Sequence, residues 1–417
     1  MLNEYLIKDL VSDVIDNRGK SPEYHHEITE YPIIEVNSIR GDRAFPIEDK
    51  FKKFVSKEVY ENWFRNGHPQ KNDVLISTVG SGNIGEVALF NERGCIAQNL
   101  IALRFKKELC NQEFIYYLFS SKRYKSMLVN LDIGSAQPSI KVPHILNSTI
   151  HIPDLRYQEL AANLLTRLDK KIELNKKMNK TLEEIAKTLF KSWFIDFDPV
   201  RAKAEGRPTG LSKEISDLFP DSFEDSELGE MPSGWKVGNL GNLCFPKRGK
   251  VITKAKVEPG NFPVVAGGIK PPYYHSESNA ESPIVTISAS GTAGFVNLYY
   301  EDIWASDCSY INKEITDNVF FIYSFLKINQ QRIYDLRHGA VQQHVYPKDL
   351  IELPIFLSSN SLIEEYEKIA TSFHEKISLN IQESKHLEAI RDTLLPRLIS
   401  GVLQIPDAEN VVKEAGI

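Results

Sequence analysis

The sequence predicts an α+β protein in which two tandem globular domains are joined by two long helices packed as an antiparallel coiled coil. Residues 158–194 contain no Pro or Gly and place an apolar residue at every third or fourth position. Residues 363–399, about 205 positions later, repeat that pattern. Short β-type runs with turn residues and few helical stretches precede each long run, which favours α+β over a doubly wound sheet.

Composition sets the broad class. The 417 residues carry a net charge of −6 and four scattered cysteines, with no C-x-x-C pair. We therefore expect a protein of the reducing cytoplasm, without a disulfide frame or a zinc site. The N-terminus does not have the pattern of a signal peptide, and no apolar run approaches the ~18 residues of a membrane span. Residues 199–230 hold eight acidic and four basic residues, so the remainder is near neutral and permits a basic groove.

The long helical runs match at one constant offset, which indicates an internal duplication. Two shorter landmarks precede each run: an Arg-Gly-Lys tripeptide at residues 18–20 and 248–250, and a glycine-containing loop at residues 81–85 and 290–294. The first globular domain has an extra insertion within about residues 40–72. The helical positions that match are Ile172, Leu174, Asn175, Leu182, Ile185, Leu189 and Phe194, with Ile377, Leu379, Asn380, Leu387, Ile390, Leu394 and Ile399.

These landmarks give the predicted domain boundaries. The first globular domain is residues 1–156, and the first long helix is residues 157–198. An acidic linker follows at residues 199–230. The second domain is residues 231–357 and the second long helix residues 358–403, with a frayed tail at residues 404–417.

Two motifs suggest cofactor chemistry but do not fit it. Residues 80–85 read G-x-G-x-x-G after a β run, yet a strand pattern follows where a nucleotide site requires a helix. This favours a hairpin over a nucleotide-binding loop. Residues 270–274 (KPPYY) resemble the N/D-P-P-Y/F motif of amino-methyltransferases, but Lys270 has no acceptor for the target amine.

We find no catalytic or metal-binding constellation. There is no G-x-x-x-x-G-K-[ST] loop and no convincing carboxylate cluster. The histidines at 25, 26, 338 and 344 lack the spacing of metal ligands and favour surface or hydrogen-bonding roles. The sequence therefore predicts a chain without a catalytic site or a bound metal.

A polar residue recurs at the same place in the apolar stripe of both long helices. A buried Asn in such a seam lowers stability but fixes register and orientation. We hypothesise that Asn175 and Asn380 face the opposite helix and set the antiparallel pairing; exposed asparagines are the alternative. The predicted seam consists of Leu168, Ile172, Asn175, Leu182, Ile185 and Leu189 in the first helix, and Phe373, Ile377, Asn380, Leu387, Ile390 and Leu394 in the second.

Basic, amide and aromatic side chains near the landmark loops are the candidates for DNA contact. Arg and Lys contact phosphates and read guanine, whereas Asn and Gln can pair with adenine. Taken singly, each is more often an ordinary surface residue. The candidates are Arg18, Lys20, Arg40, Arg43, Asn83, Gln98, Asn99, Lys247, Arg248, Lys250, Lys270, Tyr273, Tyr274, Gln342 and Gln343.

Three stretches in the middle of the chain and one near its end have distinctive sequences: residues 193–206 (WFIDFDPVRAKAEG), 218–223 (LFPDSF), 229–235 (GEMPSGW) and 394–401 (LLPRLISG). The first three resemble the central conserved region of the specificity (S) subunits of type I restriction–modification enzymes, and the last is typical of that family's C-terminal region. The resemblance covers essentially the whole chain. The globular domains depart from the family pattern, and in this family that variation changes the DNA target.

The resemblance implies a non-catalytic, DNA-binding chain. Each globular domain would be a target recognition domain that reads one half of a bipartite, asymmetric double-stranded site. The helices would set the spacer and dock methyltransferase (M) subunits, probably two, with restriction (R) subunits possible and no membrane partner. S-adenosylmethionine and ATP would be bound only by partner subunits. A structural coiled-coil adaptor or a stand-alone S-adenosylmethionine-dependent enzyme are the alternatives; DNA binding with M subunits, or S-adenosylmethionine binding by the chain alone, would distinguish them.

Overall fold

The computed structural model describes residues 2–40, 44–80, 84–132, 138–339 and 343–414. The chain divides into two compact units. The first unit comprises Met1–Asn175 and Gln382–Ile417, and the second comprises Lys176–Ile381. Each unit contains one globular domain and part of each long helix.

The first unit is built on a four-stranded antiparallel sheet with the strand order Val11–Ile15, Leu100–Phe105, Val74–Ser77, Val87–Leu89. Ile33–Ile34 pairs in parallel with Cys95–Ile96, and Asn3–Leu6 pairs antiparallel with Thr149–Ile152. The shorter helices are Ile7–Leu10, Val36–Ile39, Lys57–Asn62, Gln112–Ser120, Lys122–Val129, Val142–Leu146 and Ile405–Glu414, with a 3-10 turn at Glu48–Lys50.

The second unit repeats this arrangement. Its four-stranded sheet has the order Lys247–Arg248, Cys308–Ile311, Ile284–Ser288, Val296–Tyr299. The remaining strands are Pro259–Val265, which pairs with Trp304–Ala305 and Tyr273–His275, then Lys236–Asn239 with Pro354–Leu357, and Phe223–Ser226 with Gly229–Pro232. The shorter helices are Asp198–Ala204, Lys213–Ser216, Val319–Ile328, Gln330–Asp335 and Pro347–Leu350, with 3-10 turns at Leu240–Asn242 and Lys254–Lys256.

The two sheets share one topology. In both, the first strand in the chain pairs with the last, and the second strand lies between the last and the third. Both units also contain a short parallel pair: Ile33 faces Cys95 in the first unit, and Val264 faces Trp304 in the second. Chance does not produce the same order, direction and register twice, so the predicted internal duplication is confirmed.

The glycine-containing loops connect antiparallel strands. Val74–Ser77 pairs with Val87–Leu89 in the first unit, and Ile284–Ser288 pairs with Val296–Tyr299 in the second. A nucleotide-binding loop requires a helix after the turn. The predicted hairpins are therefore confirmed in both units, although residues 81–83 themselves lie outside the described part of the chain.

Each long helix has 40 residues, Leu155–Phe194 and Asn360–Ile399, within a few residues of the predicted bounds. The first ends before Phe197, which has a left-handed backbone (φ 57°), and a new helix then begins at Asp198 with Pro199 in its first turn. Proline is tolerated there because the first turn leaves its N–H groups unpaired.

Hydrogen bonds between the two helices define their relative direction within each unit. They join Asp169 to Arg391 and Asn175 to Ser384 in the first unit, and Asn179 to Asn380 and Ala186 to Tyr366 in the second. In each unit, the residue number on one helix falls as that on the other rises. The helical segments are therefore antiparallel, as predicted.

The prediction of a frayed tail is wrong. Ile405–Glu414 is a helix, and Ile405, Ala408 and Val412 are buried in the core of the first unit. Their spacing of three and four residues places them on one helical face, and that apolar face is buried. The other residues of the segment are mostly polar, which is why the sequence alone indicates a tail. The hydroxyl of Tyr157 also donates to the carbonyl of Leu403 (2.7 Å), which holds the approach to this helix against the first long helix.

The acidic segment is also more ordered than a linker. Helix Asp198–Ala204 buries Val200 and Ala202, and Phe219 is 2% exposed in the core of the second unit. The ammonium of Lys203 donates to the backbone carbonyls of Ser216 and Phe219. The segment therefore folds as part of the second unit because its few apolar residues have places in that core.

Candidate nucleic-acid interface

Three strands of the first unit's sheet bring the landmark loops to one end. Ile15 pairs with Ala102 and Ser77 with Leu100, so the loops at residues 16–20, 78–80 and 97–99 lie at the same end of the sheet. Residues 138–140 join them, because the Ile140 N–H donates to the Thr78 carbonyl (2.8 Å). We call these four segments the first loop cluster.

Arg18 lies inside this cluster and is held on three sides. Its Nε and Nη2 donate to the two carboxylate oxygens of Asp16, both at 2.8 Å. Its Nη1 donates to Thr78 Oγ1 (3.0 Å) and to the Ile140 carbonyl (3.3 Å). Burial raises the pKa of Asp16, but the hydrogen bonds and charge of Arg18 outweigh it and leave that pKa below its usual value. Arg18 thus joins the loops to one another.

The other candidates of the first domain are placed as follows. Lys20, Gln98 and Asn99 are exposed on the first loop cluster, and Gln98 has a left-handed backbone (φ 36°). Arg40 is exposed after helix Val36–Ile39, and no hydrogen bond within the described residues joins it to the cluster. Arg43 and Asn83 lie outside the described residues.

The second unit forms a corresponding cluster at the same end of its sheet. Ser288 pairs with Cys308, and Arg248 pairs with Ser309, which brings residues 248–250, 289–294 and 305–307 together. Thr292 joins residues 266–270 to them, because its N–H and hydroxyl both donate to the Gly267 carbonyl (2.7 and 2.8 Å). Residues 343–346 are connected through the Val345 N–H, which donates to the Ala289 carbonyl. These segments are the second loop cluster.

Basic and aromatic side chains surround the second loop cluster. Lys247 pairs with Glu314 (3.3 Å), and the ammonium of Lys250 lies 5.8 Å from the ring centre of Trp304. Lys270, Tyr274 and Gln343 are exposed, Tyr273 is half-buried, and Gln342 lies outside the described residues.

Arg248 pairs with Asp307, a residue that inspection of the sequence missed. Arg248 Nη2 lies 2.7 Å from Asp307 Oδ1, and the Ser290 hydroxyl donates to Asp307 Oδ2. A signal for Asp307 does exist in the sequence: at the offset of about 209 that relates the glycine-containing loops, it corresponds to Gln98.

The predicted helix seam differs from the structure at one position. Ile185 is 45% exposed, and its neighbour Ala186 is 3% exposed instead. The Ala186 carbonyl accepts a hydrogen bond from the Tyr366 hydroxyl of the other long helix (3.0 Å), so this turn of the first helix faces its partner through Ala186 and not through Ile185. The structure buries Leu168, Ile172, Asn175, Ile377, Asn380, Leu387 and Leu394, and leaves Leu182, Leu189, Phe373 and Ile390 half-buried.

Both seam asparagines are 1% exposed and face the opposite helix within their own unit. Asn175 Nδ2 donates to Glu383 Oε2 (2.7 Å) and lies 3.3 Å from Ser384 Oγ. Asn380 Nδ2 donates to Asn179 Oδ1 (2.8 Å). Each amide thus has a partner across the seam, which an aliphatic side chain could not provide.

A duplicated sheet domain with basic and amide side chains at the end of each sheet defines a protein with two tandem recognition domains. No group of three or more His, Cys, Asp or Glu residues in the described part of the chain could hold a metal ion. None of the helices built from those residues is long and apolar enough to cross a membrane.

Comparison with known proteins identifies the family. The type I restriction modification DNA specificity domain matches residues 4–184 and again residues 232–389. The chain therefore belongs to the family of type I restriction–modification specificity subunits and carries two target recognition domains, and its DNA-binding role follows from that family.

Individual relatives agree with this assignment. The HindI specificity subunit of Haemophilus influenzae is 26% identical over 411 residues, which cover 80% of this chain and 86% of the relative. The MjaIX specificity subunit of Methanocaldococcus jannaschii is 26% identical over 321 residues, covering 71% and 70%. A crystal structure of a type I restriction–modification S subunit from M. genitalium has the same fold, with a TM-score of 0.60, 17% identity and 96% coverage of both chains.

Proposed function

We propose that this chain is a non-catalytic subunit that reads a bipartite, asymmetric DNA site, one half with each target recognition domain. The observation that carries the proposal is a repeated sheet that presents two unlike loop clusters. Sheets of the same topology hold the loops at equivalent positions, whereas the side chains on the loops differ between the units. Two different surfaces on one frame suit two different half-sites, since base edges are read by the side chains that reach them.

In this proposal the paired helices set the spacer between the half-sites. Their length is fixed by 40 residues each, which is about 60 Å at 1.5 Å per residue. The seam asparagines fix the register of the pair, because each has its hydrogen-bond partner only at one alignment. A change in helix length should then change the spacer and leave the bases that are read unchanged.

The outer faces of the helices would dock M subunits. Leu174 is 53% exposed in the first unit, and Leu379, its equivalent at the offset of about 205, is 58% exposed in the second. An exposed leucine at both equivalent positions suits two copies of one partner, because a duplicated surface offers each copy the same contact. S-adenosylmethionine would be bound by those M subunits, and ATP by R subunits where present, in the cytoplasm.

A matched insertion in the two helices tests this function. Inserting one heptad of seam-compatible residues into each helix at equivalent positions lengthens each by about 10 Å and keeps the apolar stripe in phase. Methylome sequencing of a host that expresses the chain with its M subunits should show both half-sites unchanged and the spacer widened by about three base pairs, at 3.4 Å per pair.

The control replaces a heptad in each helix without changing its length, and its spacer should stay as in the parent. An unchanged spacer in the longer variant would refute the role of the helices as a ruler. Absence of DNA binding by the parent complex would instead favour a structural adaptor and refute the recognition function altogether.

A further inference from the structure

The same tripeptide, Arg-Gly-Lys, begins the loop cluster in both units, but the two arginines are held differently. A guanidinium has five N–H groups in a rigid fork, and two adjacent N–H groups on one edge are needed to contact O6 and N7 of guanine. The two arginines differ in whether such an edge is available.

Arg18 does not keep one. Its Nε and Nη2 form a bidentate pair with Asp16, and its Nη1 donates to both Thr78 and the Ile140 carbonyl. Four of its five N–H groups are occupied, and the fifth has no neighbouring free donor. The side chain is also only 20% exposed. Arg18 is a structural clamp of the first loop cluster.

Arg248 does keep one. Within the described residues, the guanidinium of Arg248 makes a single hydrogen bond, from Nη2 to Asp307 Oδ1 (2.7 Å). Whichever of the two Nη2 hydrogens makes this bond, the other stays beside a free N–H, on Nε or on Nη1. One complete edge of the fork is therefore available, and the side chain is 36% exposed at the end of the sheet.

Further contacts support the position of Arg248 in the absence of DNA. Its Cζ lies 5.7 Å from the ring centre of Tyr346, and its partner Asp307 is itself held by the Ser290 hydroxyl. The next residue, Gly249, passes so close to the backbone of Ala305 that a Cβ would lie 2.7 Å from its carbonyl oxygen. A rigidly held donor pair loses little entropy on binding, which favours recognition of one geometry.

We propose that Arg248 is a specificity-determining residue that reads a guanine, through O6 and N7, in the half-site bound by the second domain. The inference rests on the proposed function, because it needs that domain to contact DNA. A phosphate contact by the same side chain is the competing outcome, since a phosphate accepts the same donors without sequence information.

Two substitutions in the complex with M subunits distinguish these outcomes. Arg248→Ala removes the charge and the fork, whereas Arg248→Lys keeps the charge and the pairing with Asp307 but lacks the fork. We expect both variants to methylate sites that have become degenerate at one G·C position of one half-site, with the other half-site unchanged. Affinity for the parent site should fall about 10- to 100-fold, with little change for DNA that lacks the guanine.

Lys256→Ala is the matched control, because it removes one exposed positive charge from the same domain outside the loop cluster. It should leave the methylated sequence unchanged. An unchanged motif in both Arg248 variants would overturn the proposal. So would an affinity loss in Arg248→Ala that is equal on all sequences and largely restored in Arg248→Lys, which indicates a phosphate contact.

The guanine contact and the general function fail in different ways. If the parent complex methylates no bipartite site, the proposed function is wrong. If it does and the Arg248 variants methylate the same motif, only the assignment of Arg248 is wrong. Arg248→Lys keeps the test valid if Arg248→Ala folds poorly, because a lysine ammonium still pairs with Asp307.

Discussion

The two units have sheets of the same topology but differ where each globular domain meets the long helices. Asp169 and His374 occupy equivalent positions at the helical offset of about 205. In the first unit, Asp169 accepts hydrogen bonds from the Tyr117 hydroxyl (2.7 Å) and from Arg391 Nη1 (2.9 Å). The contact there is a shielded ion pair, with Arg391 11% and Asp169 16% exposed.

The second unit makes the corresponding contact with aromatic rings. His374 Nδ1 lies 2.7 Å from the Tyr300 hydroxyl, and its ring stacks on Phe320 with centroids 4.3 Å apart. The position equivalent to Arg391 is Ala186, so the second unit has no guanidinium at that position. His374 Nε2 is buried with no hydrogen-bond partner in the described residues.

The duplication has therefore preserved the sheet topology and the paired helices, whereas the residues that join each globular domain to the helices have diverged. Burial alone would lower the pKa of Arg391, but the hydrogen bond and charge of Asp169 raise it overall, so the guanidinium stays charged. Burial lowers the pKa of His374 to about 4, so that ring is neutral at pH 7. One unit thus depends on a charge pair and the other on packing of an uncharged ring.

Removing Asp169 should have the largest effect. Asp169→Ala leaves a shielded guanidinium without its main partner and the Tyr117 hydroxyl without an acceptor. We expect the free energy of unfolding of the first unit to fall by about 3 kcal/mol. Hydrogen exchange followed by mass spectrometry, with denaturant titration, would assign the loss to that unit.

Asp392 provides a control on the same arginine. It also pairs with Arg391 (2.8 Å) but is 65% exposed, so Asp392→Ala should cost less than about 1 kcal/mol. Equal losses in the two variants would mean that burial does not distinguish these pairs. The first unit would then not depend on its shielded ion pair more than on an exposed one.

The second unit should respond to pH through His374. Its pKa is about 4 when folded and about 6.5 when unfolded, so the unfolded state binds the proton first as pH falls. The contribution of the neutral His374 ring to the stability of the second unit is therefore complete above about pH 6.5 and is lost as pH falls towards 4. Between pH 7 and pH 5, the parent should lose about 2 kcal/mol more than His374→Asn.

The difference between the pH dependences of the parent and of His374→Asn cancels the contribution of the other titrating groups. Glu367, whose pKa burial raises to about 7, titrates in parent and variant alike and cancels in the difference. His386→Asn replaces an exposed histidine of the same helix and should keep the slope of the parent. A parent and a His374→Asn variant with parallel pH profiles would show that the buried ring does titrate normally.

Patterns that recur in the sequence predicted much of this fold. The long helices follow from apolar residues at helical spacing, and the hairpins follow from β runs on both sides of a glycine-containing loop. Repetition made both predictions stronger, because two copies had to satisfy the same pattern. The landmark tripeptide lies near the end of a strand in each unit: it begins three residues after Ile15 in the first unit and at Arg248, the last residue of its strand, in the second.

The predictions that failed concern side chains whose environment is set by residues distant in the sequence. Ile185 and Ala186 are adjacent, and the buried one lies at the contact with Tyr366 of the other long helix. Arg18 and Arg248 stand in the same tripeptide, but Asp16 and Thr78 occupy one while Asp307 leaves the other an open edge. Thr78 and Asp307 are distant in sequence from the arginines that they bind, so local sequence does not show which arginine keeps a free edge, and the predicted DNA contacts remain predictions.

The smallest expected effect concerns what the units have in common. Asn175 and Asn380 are equivalent, equally buried and paired across the seam in both units. The double substitution Asn175→Leu with Asn380→Leu replaces polar contacts by apolar ones, and Glu383 keeps Lys171 as a partner (3.3 Å). We expect a gain of about 1 kcal/mol, or roughly 2–4 °C in the melting temperature, together with a looser register.

Register is measured by spin labels on exposed positions of the two helices within the second unit, such as Lys187 and Lys368. The distance distribution should broaden in the double variant, because leucines allow several alignments that the amides exclude. Lys177→Leu with Lys376→Leu adds the same number of leucines on the exposed face and should leave the distribution narrow. An unchanged melting temperature and distribution in the seam variant would mean that apolar packing alone aligns the helices, and that the shared asparagines do not set the register.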